Sequence, residues 1–153
     1  MIFGSVDLAS PLSLYSIPVV WFTSFYPATW KFLSIDRTIG YDNVQPRSNV
    51  TNPRLSPEYA KRLERMVGAH NNGNENAPLW YAAIIVGNYA GLDNKWLNTM
   101  AAYYVVTRVL YNQVYINHNG IANGWLRTGL YFFGLSLPLR ILIKAGQKIA
   151  GHD

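Results

Sequence analysis

The segment LSLYSIPVVWFTSFYPATWKFL, Leu12 to Leu33, carries no charged side chain before Lys31. About 20 such residues suffice to cross a hydrocarbon core about 30 Å thick. A helix on the surface of a soluble domain needs a polar stripe, and this stretch offers none. Pro18 and Pro27 would break a helix in water, but membrane spans tolerate proline because neighbouring groups re-satisfy the freed carbonyls. Three further segments, at about 57–89, 95–116 and 125–143, are long and apolar enough to cross as well, the second with its first two or three turns projecting into water. The pattern predicts an all-α fold in one domain over residues 1–153: an integral membrane four-helix bundle. The first run reads as a retained span, since no basic stretch and small-residue cleavage site accompany it.

Charge supports the same solvent. Only 14% of residues are charged, against roughly 25% in typical soluble domains. The net charge of +5 does not gather into one solvated run that would mark a nucleic-acid partner. The cations stand at the ends of apolar segments, where an anionic lipid surface favours them. The chain has no cysteine, which excludes disulfides and thiolate chemistry of its own. His70, His118 and His152 lack metal-ligand spacing, so no metal site is expected.

The breaks between runs set the topology. Ser34 to Ser56 is polar and long, and Ser56-Pro57-Glu58 reads as a helix start with cap, Pro and first-turn acid in order. Ala90 to Asn94, AGLDN, reads as a tight connection. Lys31, Arg37, Arg47, Arg54, Lys61 and Arg62 lie on or beside the first loop, which places that loop in the cytosol and both termini opposite. Arg140, Lys144 and Lys148 argue the other way. Asn49-Val50-Thr51 is a glycosylation sequon, modified only on the lumenal side, and so a test of this orientation.

Ionisable groups within spans cost on the order of 2.5 kcal/mol at the bilayer centre, so they face the bundle interior or a wet cavity. Here they recur at helical spacing. Arg65, Asn72 and Glu75 share one broad face of the second helix. Tyr104, Arg108, Tyr111 and Tyr115 form a stripe on the third, and Arg127-Thr128 opens the fourth. Helices crossing in antiparallel order bring these groups to one depth, which suggests a pocket for a hydrophilic ligand that is open to a lipophilic one from the bilayer. The plainer readings are structural. Arg65 or Arg108 could pair with Glu75 to hold the bundle. Tyr104 could be packing, His70 a surface or capping group, and the asparagines at 71, 72, 74 and 76 interfacial hydrogen bonders.

ERMVGAHNNGNENAP resembles the second-helix signature of the MAPEG family, the membrane-associated proteins in eicosanoid and glutathione metabolism. Arg65, Ala69, Asn72, Glu75 and Pro78 stand at its positions. Arg108, Tyr111 and Tyr115 match the third-helix signature, and Arg127-Thr128 the start of the fourth. The resemblance implies a left-handed four-helix bundle in a homotrimer, with sites between subunits facing the cytosol from the endoplasmic reticulum membrane. It implies bound glutathione, with Arg65 structural or site-lining, Asn72 and Glu75 on the glutathione backbone, and Arg108, Tyr111 and Tyr115 lining the cleft. Arg127 would be catalytic, with Thr128 beside it, because a guanidinium next to sulfur favours the nucleophilic thiolate. The reaction implied is transfer, isomerisation or peroxide reduction on a lipophilic substrate. The alternatives are a glutathione-independent isomerase or cyclase using the same pocket, and a non-catalytic membrane scaffold.

The chain departs from the family at Gly68, where members carry an Arg for a glutathione carboxylate, and at Asn71, where some also carry Arg. Loss of such a charge-assisted bond costs about 1.5–3 kcal/mol, and weaker glutathione affinity is expected. Lys61 or Arg62, a turn or more away along the helix, is the candidate replacement cation.

Overall fold

Ser56 provides the expected helix start: its hydroxyl accepts the Tyr59 backbone N–H at 3.4 Å, with Pro57 at the first helical position and Glu58 in the first turn. From there a helix runs from Pro57 to Tyr89. It closes in a Schellman turn, with Gly91 at φ +67°, Leu92 N–H donating to Gly87 and Gly91 N–H to Asn88. Asp93 then caps the next helix by accepting from Trp96 N–H at 2.8 Å. The structure is a computed structural model that describes residues 7, 9–117 and 120–151; His118 and His152 lie outside them.

The described residues form α1 (Ser16–Ile39), α2 (Pro57–Tyr89), α3 (Asn94–Asn117) and α4 (Ile121–Ile149), with 3-10 turns at Leu12–Tyr15 and Ser48–Thr51 and no strand. The helices overrun the predicted apolar spans because backbone hydrogen bonding continues into polar flanks, as at Ser34–Ile39 and Gly146–Ile149. The first helix begins later than the apolar run, which opens instead with the 3-10 turn. α2 and α3 are central; α1 and α4 each pack against both.

Two apolar clusters hold the bundle. The larger gathers Trp80, Ile84, Leu97, Tyr104, Leu137 and Ile141. Trp80 is fully buried, lies 4.0 Å from the Tyr104 ring in a parallel stack, and donates its indole N–H to Ser16 Oγ at 3.0 Å. The smaller, beneath the first loop, contains Ile35, Leu63, Met66 and Ile116.

Polar ties fix α1 between them. Pro27 has no N–H for the Thr23 carbonyl, and the buried Asn112 of α3 donates to that carbonyl at 2.7 Å. One residue on, Ser24 O meets His70 Nδ1 at 2.8 Å. A carbonyl partner requires the proton on Nδ1, which leaves Nε2 to accept from Asn74 at 3.1 Å. His70 is thus an interhelical tie. At the same level Gly73 permits the closest approach of α1 and α2, since a Cβ there would lie 2.8 Å from the Ser24 Cα.

Apolar side chains are not confined inside. Trp21, Phe22 and Phe25 on α1, and Trp125, Phe132 and Phe133 on α4, are exposed in the single chain. Among the described helices, α4 is long and apolar enough to cross a membrane by length and composition. In the loop, Asn49 is only 3% exposed; its amide donates to Asp42 O and Pro46 O and accepts from Asp42 N–H. The sequon therefore offers no free side chain in the folded loop, and a missing glycan would not report the side of the membrane.

Candidate functional site

The antiparallel order brings the C-terminal half of α3 and the start of α4 beside the first half of α2. A cleft of about 400 Å³ opens between them. α2 contributes Gly68, Asn71, Asn72 and Glu75, which share one face at spacings of three, one and three. Tyr111 and Tyr115 come from α3, one turn apart, and Arg127, Thr128 and Tyr131 from α4. Six side chains singled out in the sequence, Asn72, Glu75, Tyr111, Tyr115, Arg127 and Thr128, thus border one cavity.

The three arginines expected there have different positions. Arg65 lies outside the cleft: its Nε donates to the Ile116 carbonyl at 3.0 Å and closes the C-terminal turn of α3. Arg108 is buried behind the cleft at 4% exposure, donates from Nη1 to Asn72 Oδ1 at 2.9 Å, and lies over the Tyr111 ring at 4.8 Å. Its other terminal nitrogen, Nη2, is buried with no hydrogen-bond partner among the described residues. Neither arginine pairs with Glu75, so the ion-pair alternatives are not formed. Among the described residues Arg127 alone lines the cleft as a cation. It lies over the Tyr115 ring at 4.5 Å, and its N–H groups have no hydrogen-bond partner among the described residues.

Tyr115 sets the floor on which Arg127 rests. Its ring is tilted against Tyr111 at 5.6 Å, and its hydroxyl reaches the α2 backbone at Gly68. A Cβ on residue 68 would stand 2.5 Å from that hydroxyl oxygen. The phenol thus fills the space into which a longer side chain at 68 would extend. Lys61 and Arg62 do not reach the cleft; with Arg65 they line a separate cavity nearer the start of α2. Thr128 donates its hydroxyl to Gly124 O at 3.1 Å, one turn back in its own helix, and keeps only acceptor capacity toward the cleft.

Tyr104 belongs to the apolar core with Trp80, away from the cleft. Tyr131 is the cleft residue that the sequence reading passed over. Its spacing of four from Arg127 puts it on the same face of α4, which was the available signal. Among the described residues no three His, Cys, Asp or Glu side chains gather as a metal group would require.

Among the described residues the cleft is nearly balanced electrostatically, with one carboxylate, Glu75, and one guanidinium, Arg127, on its wall. The remaining polar lining is amide and phenol. Such a wall can hold a zwitterionic ligand and present a cation to one developing negative charge.

No curated protein and no solved structure matches the chain. The model of the MAPEG family matches residues 17–146. Every residue of the cleft falls within that match, and the chain belongs to the MAPEG family, whose members are integral to membranes.

Proposed function

We propose that this protein is a glutathione-dependent transferase, isomerase or peroxidase acting on a lipophilic substrate, working as a homotrimer in the endoplasmic reticulum membrane with its cleft toward the cytosol. The family includes glutathione transferases and synthases, which supports an enzyme of this type. The observation that carries the reading is Arg127: a cation on the cleft wall, stacked on Tyr115, with N–H donors not used by the protein itself.

The residues present fit the tripeptide thiol. Glu75 is exposed to the cleft without a partner among the described residues and can accept from an ammonium group. Asn72 gives its carbonyl oxygen to Arg108, which orients its amide N–H groups to donate elsewhere. The hydroxyls of Tyr111, Tyr115 and Tyr131 make no hydrogen bond among the described residues and are further donors. Glutathione, when bound, supplies a thiol sulfur as nucleophile. Arg127 favours the ionised form of a sulfur beside it, and Tyr115 keeps the guanidinium from folding away. A fixed donor needs little reorganisation as charge develops, usually the largest source of such rate enhancement. Thr128, its proton tied to Gly124, is suited to accept a hydrogen bond rather than to give one.

With Gly68 and Asn71 on the wall, the described residues of a single chain's cleft offer no second cation for a second carboxylate, and weaker binding is expected. Equilibrium dialysis of the purified protein with labelled glutathione tests the reading. Saturable binding lost in Glu75→Ala supports it; no saturable binding at millimolar ligand overturns it and favours glutathione-independent chemistry in the same cleft. Arg127→Ala should keep binding within a few fold but lower conjugation of a lipophilic electrophile by roughly 10²-fold, the cost of one oxyanion-type donor. Unchanged turnover would remove Arg127 from catalysis.

A further inference from the structure

A second polar cavity, of about 540 Å³, lies outside the cleft at the start of α2. Lys61, Arg62 and Arg65 line it, with Tyr59, Ser56 and one carboxylate, Glu58. Three cations against one anion leave it net positive. Lys61 is exposed and makes no hydrogen bond or ion pair among the described residues. Arg62 is held by Asn117 Oδ1 at 3.1 Å and by the face of Trp30 at 5.2 Å. Arg65 uses Nε on Ile116 O, leaving its terminal nitrogens without a partner among the described residues.

Trp30 joins this cavity to an apolar groove of about 550 Å³ on the outer face of α1, bordered by Trp21, Phe22, Phe25, Tyr26, Trp30 and Leu33. A second link lies beside it: Tyr59, on the basic cavity, donates its hydroxyl to Ser34 O, next to Leu33, at 3.2 Å. The groove is thus apolar along its length and basic at one end. Trp21 and Leu33 are twelve residues apart, about 18 Å along a helix. That is a little over half of a hydrocarbon core about 30 Å thick, the depth of one acyl chain in one leaflet. The basic end coincides with the loop end of the bundle, where Trp30 has the place of an interfacial aromatic.

We propose that this composite surface binds an anionic phospholipid of the leaflet on the side of the first loop, its phosphate on Lys61, Arg62 and Arg65 and one acyl chain along Trp21 to Leu33. Charge complementarity commits the occupant: a zwitterionic headgroup gains less from a net cationic cavity, and a second copy of this chain has no acidic run to match it. Each Lys or Arg near an anionic surface contributes roughly a fivefold factor in affinity.

The test is lipid retention by the purified full-length protein, read by native mass spectrometry after exchange into equimolar phosphatidylserine and phosphatidylcholine. Wild type should keep phosphatidylserine preferentially. Lys61→Gln, an exposed change that spares the fold, should reduce that preference roughly fivefold, and adding Arg62→Gln should reduce it further. Arg47→Gln removes an equal charge from the loop, away from the cavity, and should leave it unchanged. Equal retention of both lipids, or a loss in Arg47→Gln as large as in Lys61→Gln, overturns the proposal. Glycerol phosphate without acyl chains should not compete; competition at the lipid's own concentration would make this a free phosphate site and overturn the role of the groove. Because the chain has no cysteine, Phe22→Cys is a clean reporter. It should form no disulfide cross-link between chains on oxidation in the membrane, and efficient disulfide-linked dimers would put a second copy in the groove instead.

Discussion

Two levels of the bundle use the same materials for opposite ends. At the level of Trp80 and Tyr104, two flat rings stack 4.0 Å apart in a sealed apolar cluster, and the indole N–H is satisfied by Ser16. Higher on the same helix stripe, Tyr115 stacks under Arg127 beside an open cleft, and its hydroxyl occupies the space that a side chain at Gly68 would need. The first level is closed to solvent and packed ring on ring, so it contributes stability. The second leaves a phenol and a guanidinium with unused donors, so it can contribute chemistry. What separates the two is what α2 places opposite α3: Trp80 at one level, Gly68 at the other.

The largest effect that sharpens this contrast is Trp80→Ala. Truncating a fully buried Trp should cost about 3–5 kcal/mol, seen as a large fall in the thermal unfolding midpoint in detergent. A small shift would mean that the closed level does not hold the bundle. Next come two glycines that look alike in sequence. Gly73→Ala should cost about 1–3 kcal/mol by overpacking, because its Cβ meets the Ser24 backbone, which cannot yield without moving α1. Gly68→Ala should cost less stability, because the obstacle is the far end of Tyr115, yet it should lower turnover by displacing the ring under Arg127. Measuring unfolding and turnover on both variants separates the levels; equal losses of stability with normal turnover would break the distinction. The smallest effect belongs to Tyr104→Phe, expected within about 0.5 kcal/mol of wild type, since the ring stack carries that site and its hydroxyl makes no hydrogen bond among the described residues.

Much of this was legible before any coordinates. The helix start at Ser56-Pro57-Glu58 and the tight connection at Ala90 to Asn94 are local signals, and local hydrogen bonding carries them out. Helical spacing identified the faces bearing Asn72 and Glu75, Tyr111 and Tyr115, and Arg127, because periodicity survives whatever the neighbours are. It could not rank Arg65, Arg108 and Arg127, which are equivalent as letters. Ile116 O engages the first, Asn72 and Tyr111 bury the second, and only the third faces the cleft unbonded. Asn49 was equally misleading as a free sequon, since its partners, Asp42 and Pro46, meet it only when the loop closes.

The sequence by itself therefore determined the four helices, the start of α2, the apolar character of their surfaces and the stripe of polar groups along α2 and α3. These follow from backbone hydrogen bonding and side-chain periodicity, which act over one or two turns. Only the tertiary structure decided which cation is free, that Asn112 answers the carbonyl left by Pro27, and that Tyr115 occupies the space beside Gly68. Those outcomes depend on distances of a few ångströms between side chains far apart in the chain, and periodicity specifies a direction without specifying what lies in it.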